Sequence, residues 1–128
     1  MNRDFVANIP FNKLLGIKVS REHKDGITLS CKVKEELFNS KGVLHGGVAA
    51  SIADVAVGVA IHHHYKGARA ISTVEMKINY FRPVSEGTLY ARAYLLRVGS
   101  TLSVGRVDLT DTKKNLVGVA LVTYIFLA

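Results

Sequence analysis

Residues 43–64, VLHGGVAASIADVAVGVAIHHH, decide the fold. From about Gly47 to His64 they read as one long helix, rich in Ala and Val, apolar on nearly every side and stopping before Gly67. A helix apolar all round is a buried helix, so the rest of the chain must wrap it. Its longest apolar stretch, Val48 to Ile61, is interrupted by Ser51 and Asp54 and falls short of the ~20 residues that a bilayer crossing needs.

The wrapper lies on both sides of this helix. Downstream, Ile71 to Phe81, Thr88 to Val98, Leu102 to Leu109 and Leu116 to Leu127 read as strands, divided by turns at Ser85-Glu86-Gly87, Gly99-Ser100 and Asp111 to Asn115. In the first of them Val74, Met76, Ile78 and Tyr80 fall on one face at the strand period of two. Four successive strands with short turns are expected to form an antiparallel meander. Upstream, Gly16 to Glu22 and Gly26 to Lys34 alternate, with Ile27, Leu29, Cys31 and Val33 on one face, and Asp25-Gly26 marks the hairpin between them. Phe5 to Leu15 is weakly helical, and Phe38 to Leu44, with its Asn, Ser and Gly, is a loop. The expected class is α+β: a single domain over residues 1–128, with an antiparallel sheet of five to six strands around a long central helix.

Composition narrows the functions. Of 128 residues, 48% are apolar and 21% charged, with no low-complexity run or repeat, as in an ordinary globular domain. A net charge of +7 favours an anionic partner. The Lys and Arg residues are scattered rather than gathered in an arm or a basic helix, and no nucleic-acid-binding signature accompanies them, so nucleic acid is not expected. Cys31 is alone and sits in an alternating strand, which suits a buried thiol in a reducing compartment. The start, MNRDFVANIPF, lacks the apolar core of a signal peptide, and the expectation is a cytoplasmic protein without a membrane partner. His62, His63 and His64 do not suggest a metal, because adjacent helical residues point about 100° apart and cannot converge on one ion.

Asp54 is the anomaly. It is the only acidic residue between Glu36 and Glu75, and it stands among Ala, Ile and Val on the element expected to be the most buried. A carboxylate there costs several kcal/mol unless it is paired, hydrogen-bonded or wetted by a pocket, and such groups concentrate at functional sites. Ahead of it, Gly46 and Gly47 leave the first amides of the helix open. Those amides lack intrahelical partners and carry the positive end of the dipole, so a docked carbonyl oxygen would be polarised as in an oxyanion hole.

The pattern Asn39-x5-His45-Gly46-Gly47-x6-Asp54 resembles the signature of hot-dog-fold acyl-CoA thioesterases of the phenylacetate-degradation type. The likeness continues through residues 72–83, which end in the Arg82-Pro83 pair, through the turn at residues 97–101, and along the closing apolar strand. It implies a hot-dog fold and hydrolysis of an acyl-CoA thioester without a cofactor. It implies Asp54 as nucleophile or general base, and Gly46 as the amide on the thioester carbonyl with Gly47 beside it. Asn39 and His45 would shape the loop and orient the acyl thioester, and Thr73 would help to place the water or nucleophile. Arg82, Pro83, Gly99, Ser100 and Thr101 would contact coenzyme A, although Ser100 departs from the Lys or Arg of many relatives.

Spacing adds an expectation about assembly. Gly46 and Asp54 lie eight residues apart, about 12 Å along a helix, and a nucleophile must come within roughly 3 Å of the carbonyl carbon. If both serve one thioester, they come from different subunits of a dimer or dimer of dimers, with two helices antiparallel across the interface. Two other functions fit the same fold: a hydroxyacyl-thioester dehydratase, which needs a differently spaced His and acid, and a non-catalytic acyl-CoA sensor, which could dispense with Asp54.

Overall fold

The computed structural model describes residues 1–66 and 69–127, so Gly67 lies outside the described residues. The chain runs through α1 (Arg3–Asn8), α2 (Pro10–Leu15), β1 (Ile17–His23), β2 (Gly26–Lys32), a 3-10 turn (Glu35–Leu37), α3 (Gly46–His64), β3 (Ile71–Tyr80), β4 (Thr88–Val98), β5 (Leu102–Thr110) and β6 (Leu116–Phe126). The expected α+β class holds. The weak N-terminal helix is two helices instead of one, because Pro10 has no amide to donate and holds Ile9 extended at ψ 129°.

All six strands join one antiparallel sheet in the order β1-β2-β4-β5-β6-β3. The expected meander is therefore only partly right. Strands β4, β5 and β6 do follow one another, but β3 lies beyond β6, and its place beside β4 is taken by β2, with Leu29 opposite Ala91. The connection over residues 81–87 contains Pro83 and is longer than the two to five residues of a common hairpin loop. It carries the chain across the end of the sheet.

Helix α3 packs its apolar faces against the inward face of this sheet. Ile52, Ala53, Ala56, Val57, Ala60 and Ile61 are fully buried against inward residues such as Leu29, Leu89, Val107 and Val122. Each of the larger side chains contributes about 1.5–3 kcal/mol by leaving water. With 19 residues the helix is long and apolar enough to cross a membrane, but ten of them are packed inside the domain. A stripe at helical spacing, Gly47, Ser51 and Asp54, stays partly or wholly open. The chain by itself thus wraps most of the helix and leaves one side free.

Strand β3 departs from simple alternation. Its register to β6 slips between Thr73 and Glu75, which leaves Val74 as the extra residue of a β-bulge. The bulge reverses the parity of the strand: Thr73 faces the helix, and so do Met76, Ile78 and Tyr80 farther along. Val74, expected on their face, is the bulged residue: it is 53% exposed and does not pack on the core as Met76 and Ile78 do. Strand β3 is also an edge. At the opposite edge α1 is tied to β1 by Arg3 and Glu22 at 3.0 Å, whereas nothing among the described residues pairs with the outer side of β3. Cys31 is fully buried as expected, its Sγ donates to the Leu15 carbonyl, and burial pushes its thiol pKa up.

Candidate active site

The loop ahead of α3 is organised by Asn39. Its Oδ1 accepts from the amides of Lys41 and Val43 at 2.9 and 3.3 Å, and its own amide donates to the Val43 carbonyl at 2.8 Å. Gly42 takes the turn at φ +76°. The loop is then tied down at two places: Leu44 N–H donates to the Val84 carbonyl in the connection between β3 and β4, and His45 N–H to the Leu37 carbonyl in the 3-10 turn. This fixes His45 as the N-cap residue of α3.

His45 caps with its ring. Its Nδ1 accepts from the Gly47 amide at 2.8 Å, which makes Nδ1 the unprotonated nitrogen, and its carbonyl accepts from the Val48 amide at 2.9 Å. A Cβ on Gly47 would stand 2.9 Å from that Nδ1, so glycine is what lets the ring close on the helix. Of the two glycine amides, Gly47's is thus occupied. Gly46's donates to no group among the described residues. Over Gly46 lies the ring of Tyr80, whose hydroxyl donates to the Gly46 carbonyl at 2.7 Å. Burial raises the Tyr80 phenol pKa, which keeps that proton in place.

Gly46, Asn39 and Tyr80 open on a cavity of about 350 Å³. Leu44, Ala49, Leu89, Leu109 and Val117 form its apolar depth, while Arg82 and Pro83 stand at its side. An acceptor atom that enters it meets a free amide at the positive end of a 19-residue helix.

Two turns along α3, Asp54 sits half-buried under β3 and β6. Its Oδ1 accepts from Thr73 Oγ1 at 2.8 Å and from the Tyr124 hydroxyl at 2.8 Å; the same hydroxyl lies 2.7 Å from the Asp54 carbonyl oxygen. Thr73 and Tyr124 are direct cross-strand partners in the β3–β6 ladder. No cation lies against Asp54 among the described residues. The carboxylate is held by hydroxyls, and Oδ2 is left without a partner among the described residues.

The predicted site residues therefore fall into three groups. Asn39, His45, Gly46, Gly47, Arg82 and Pro83 gather at the start of α3, and Asp54 with Thr73 forms a second centre. Gly99, Ser100 and Thr101 belong to neither. Their turn lies beyond the other end of α3, where Gly99 and Ser100 carbonyls face the Tyr65 hydroxyl and the Arg69 guanidinium. The three histidines diverge: His62 reaches the Arg69 carbonyl, and His63 lies 3.9 Å from Glu22. Sequence reasoning missed Tyr80 and Tyr124, because both sit at inward strand positions where a ring reads as packing. The usable signal was the hydroxyl: a buried phenol needs a polar partner, and Tyr124 shares its inward row with Ala120, Val122 and Phe126.

Known proteins resemble this chain in sequence and fold. The Thioesterase superfamily matches residues 41–117 of the chain. The medium/long-chain acyl-CoA thioesterase YigI of Escherichia coli (strain K12) is 29% identical over 136 residues, covering 94% of this chain and 88% of that protein. Acyl-coenzyme A thioesterase 13 of Mus musculus is 37% identical over 81 residues, which cover 62% of this chain and 57% of its own length. The crystal structure of a Haemophilus influenzae thioesterase superposes with a TM-score of 0.90 over 96% of this chain and 86% of that one; at 24% identity, that likeness concerns the fold.

Proposed function

The chain belongs to the thioesterase superfamily and is a thioester hydrolase of the hot-dog fold, and from that premise we propose that it hydrolyses acyl-coenzyme A with Asp54 as the acting carboxylate. Within the superfamily we place it with the phenylacetate-degradation type, on the Asn39 to Asp54 pattern. The observation that carries this reading is the pairing on one helix of an unspent amide, Gly46, with a hydroxyl-held carboxylate, Asp54, on its open stripe.

The thioester carbonyl oxygen takes the Gly46 amide, and negative charge that develops there is stabilised by a donor already in position. Asp54 then attacks the carbonyl carbon, or takes a proton from a water that does. Both routes balance to the same sum: the C–S bond breaks, the acyl group takes OH, and the coenzyme A sulfur takes the proton. A thiol with a pKa of roughly 8–9 leaves without a strong acid, so the step calls for no metal or redox cofactor. The net charge of +7 suits a substrate with several phosphates.

The helix places Gly46 and Asp54 about 12 Å apart along its axis. We therefore propose a homodimer, alone or paired into a tetramer, in which the open stripe of one α3 faces the partner's and the partner's Asp54 meets the thioester on this chain's Gly46. The free edge of β3 supports this, since a long uncovered strand edge calls for a partner. The Gly99 to Thr101 turn would likewise serve a thioester held by another subunit.

Thiol release from a panel of aryl-, medium- and long-chain acyl-CoAs, read with a chromogenic disulfide, tests the proposal. Wild type should release coenzyme A and Asp54→Ala should lose at least about 10³-fold in kcat, while both proteins bind coenzyme A. The buried Cys31 keeps the protein's own thiol out of the signal. Wild-type turnover in Asp54→Ala would sink the mechanism, and binding without release would leave a sensor.

A further inference from the structure

We propose that Tyr124 is a positioning residue for the reaction: seated in a notch opened by Gly58, its hydroxyl shares Asp54 Oδ1 with Thr73 and so turns Oδ2 toward the substrate. The inference rests on the reading of Asp54 as the acting carboxylate, and Tyr124 lies outside the 41–117 span that matches the superfamily.

The geometry comes from three elements. Tyr124 belongs to the inward row of β6 and is only 8% exposed. Its hydroxyl reaches Asp54 one turn before Gly58 on the same face of α3. A Cβ on Gly58 would stand 2.8 Å from that hydroxyl and 3.2 Å from the ring carbon that bears it, so any side chain there pushes the phenol away. On the other side, the bulge at Val74 turns Thr73 inward, opposite Tyr124 and onto the same oxygen. Two hydroxyls from paired strands thus fix one carboxylate oxygen and leave the other free.

The phenol has a single proton and two acceptors near it, the Asp54 carbonyl at 2.7 Å and Oδ1 at 2.8 Å. The carbonyl is also the acceptor for the helical amide four residues on. A hydrogen bond to an ionised oxygen is the stronger of the two, so the proton belongs to the carboxylate. Burial, aided by the negative charge of Asp54 and opposed in part by the Thr73 hydroxyl, keeps the phenol pKa far above its ordinary value, so it donates throughout the working pH range. A carboxylate without this clamp would rotate about its Cβ–Cγ bond, and misplacement by about 1 Å is enough to cost two orders of magnitude in rate.

Two substitutions test the clamp, with Asp54→Asn as reference. Tyr124→Phe removes one oxygen and keeps the ring; kcat should fall about 10- to 100-fold with KM within about twofold of wild type, and melting temperature and oligomeric state should hold. Gly58→Ala keeps the hydroxyl but displaces it, on a helix that favours alanine over glycine. It should lower kcat to a similar degree, and in the Tyr124→Phe background it should add little, because the oxygen it strikes is gone. If Asp54→Asn is inactive while Tyr124→Phe keeps kcat within about twofold of wild type, the clamp is overturned and the carboxylate reading stands. If Asp54→Asn itself turns over normally, the underlying reading has failed. A Tyr124→Phe variant whose KM rises in step with the loss of kcat would also count against a positioning role.

Discussion

His45 absorbs two of the first three amides of α3, one on its imidazole and one on its carbonyl, and this division leaves Gly46 as the donor that can be tested. Proline offers a direct way to remove it. At the first helical position proline forfeits an amide that has no intrahelical partner, and its ring suits the helical φ. The residue before a proline must be extended, and His45 already is, at ψ 133°. Gly46→Pro should therefore fold, by thermal melt, and lose about 10²–10³-fold in kcat. Gly46→Ala keeps the amide and presses a Cβ to 3.3 Å from the Tyr80 ring, for which a loss within about tenfold is expected. Wild-type turnover in the proline variant would remove this amide from the chemistry. At this scale the sequence was legible where a residue was out of place: a lone carboxylate in an apolar helix, or two glycines at its start. It was silent on Tyr80 and Tyr124, because a phenol at an inward strand position looks like any other ring until its oxygen has a partner.

Among elements, α3 could be read from an Ala-rich apolar run of helical length, Val48 to Ile61, whereas the equally apolar Leu116 to Leu127 is rich in β-branched and aromatic residues and reads as a strand. The strands could be read too, but not their neighbours. A period of two says that a segment is a strand with two faces, and says nothing of which strand lies beside it, so β3 was expected next to β4 and stands next to β6. Nor does a period foresee its own interruption. Thr73 reaches Asp54 only because the bulge at Val74 shifts the pleat by one residue, and an unbroken alternation would have aimed Thr73 away from the face that Met76 and Ile78 share. The same strand carries a prediction. If β3 pairs with a partner subunit, a charge at the bulge is buried twice in one interface. Val74→Asp should shift the protein from dimer to monomer in sedimentation velocity and lower specific activity in step, by about tenfold or more at micromolar concentration. A variant that remains dimeric and fully active would show that assembly does not run through this edge.

At the level of the whole molecule, the domain wraps a helix incompletely, with both of its proposed chemical centres near the exposed side. The class of fold followed from that helix and its flanking strands. The proposal of a second copy rests on arithmetic on one helix: the rise per residue sets Gly46 and Asp54 too far apart to meet on one substrate. That separation has a hereditary consequence. A gene copy that encodes Gly46→Pro and another that encodes Asp54→Ala would each be null when alone. Expressed together, they should yield mixed dimers in which one of the two sites draws a sound amide from one product and a sound carboxylate from the other. Random assembly would restore about a quarter of the normal activity. Two recessive lesions in a single cistron would then complement each other as though they lay in different genes, whereas a site contained within one chain would leave the cell as deficient as either allele alone.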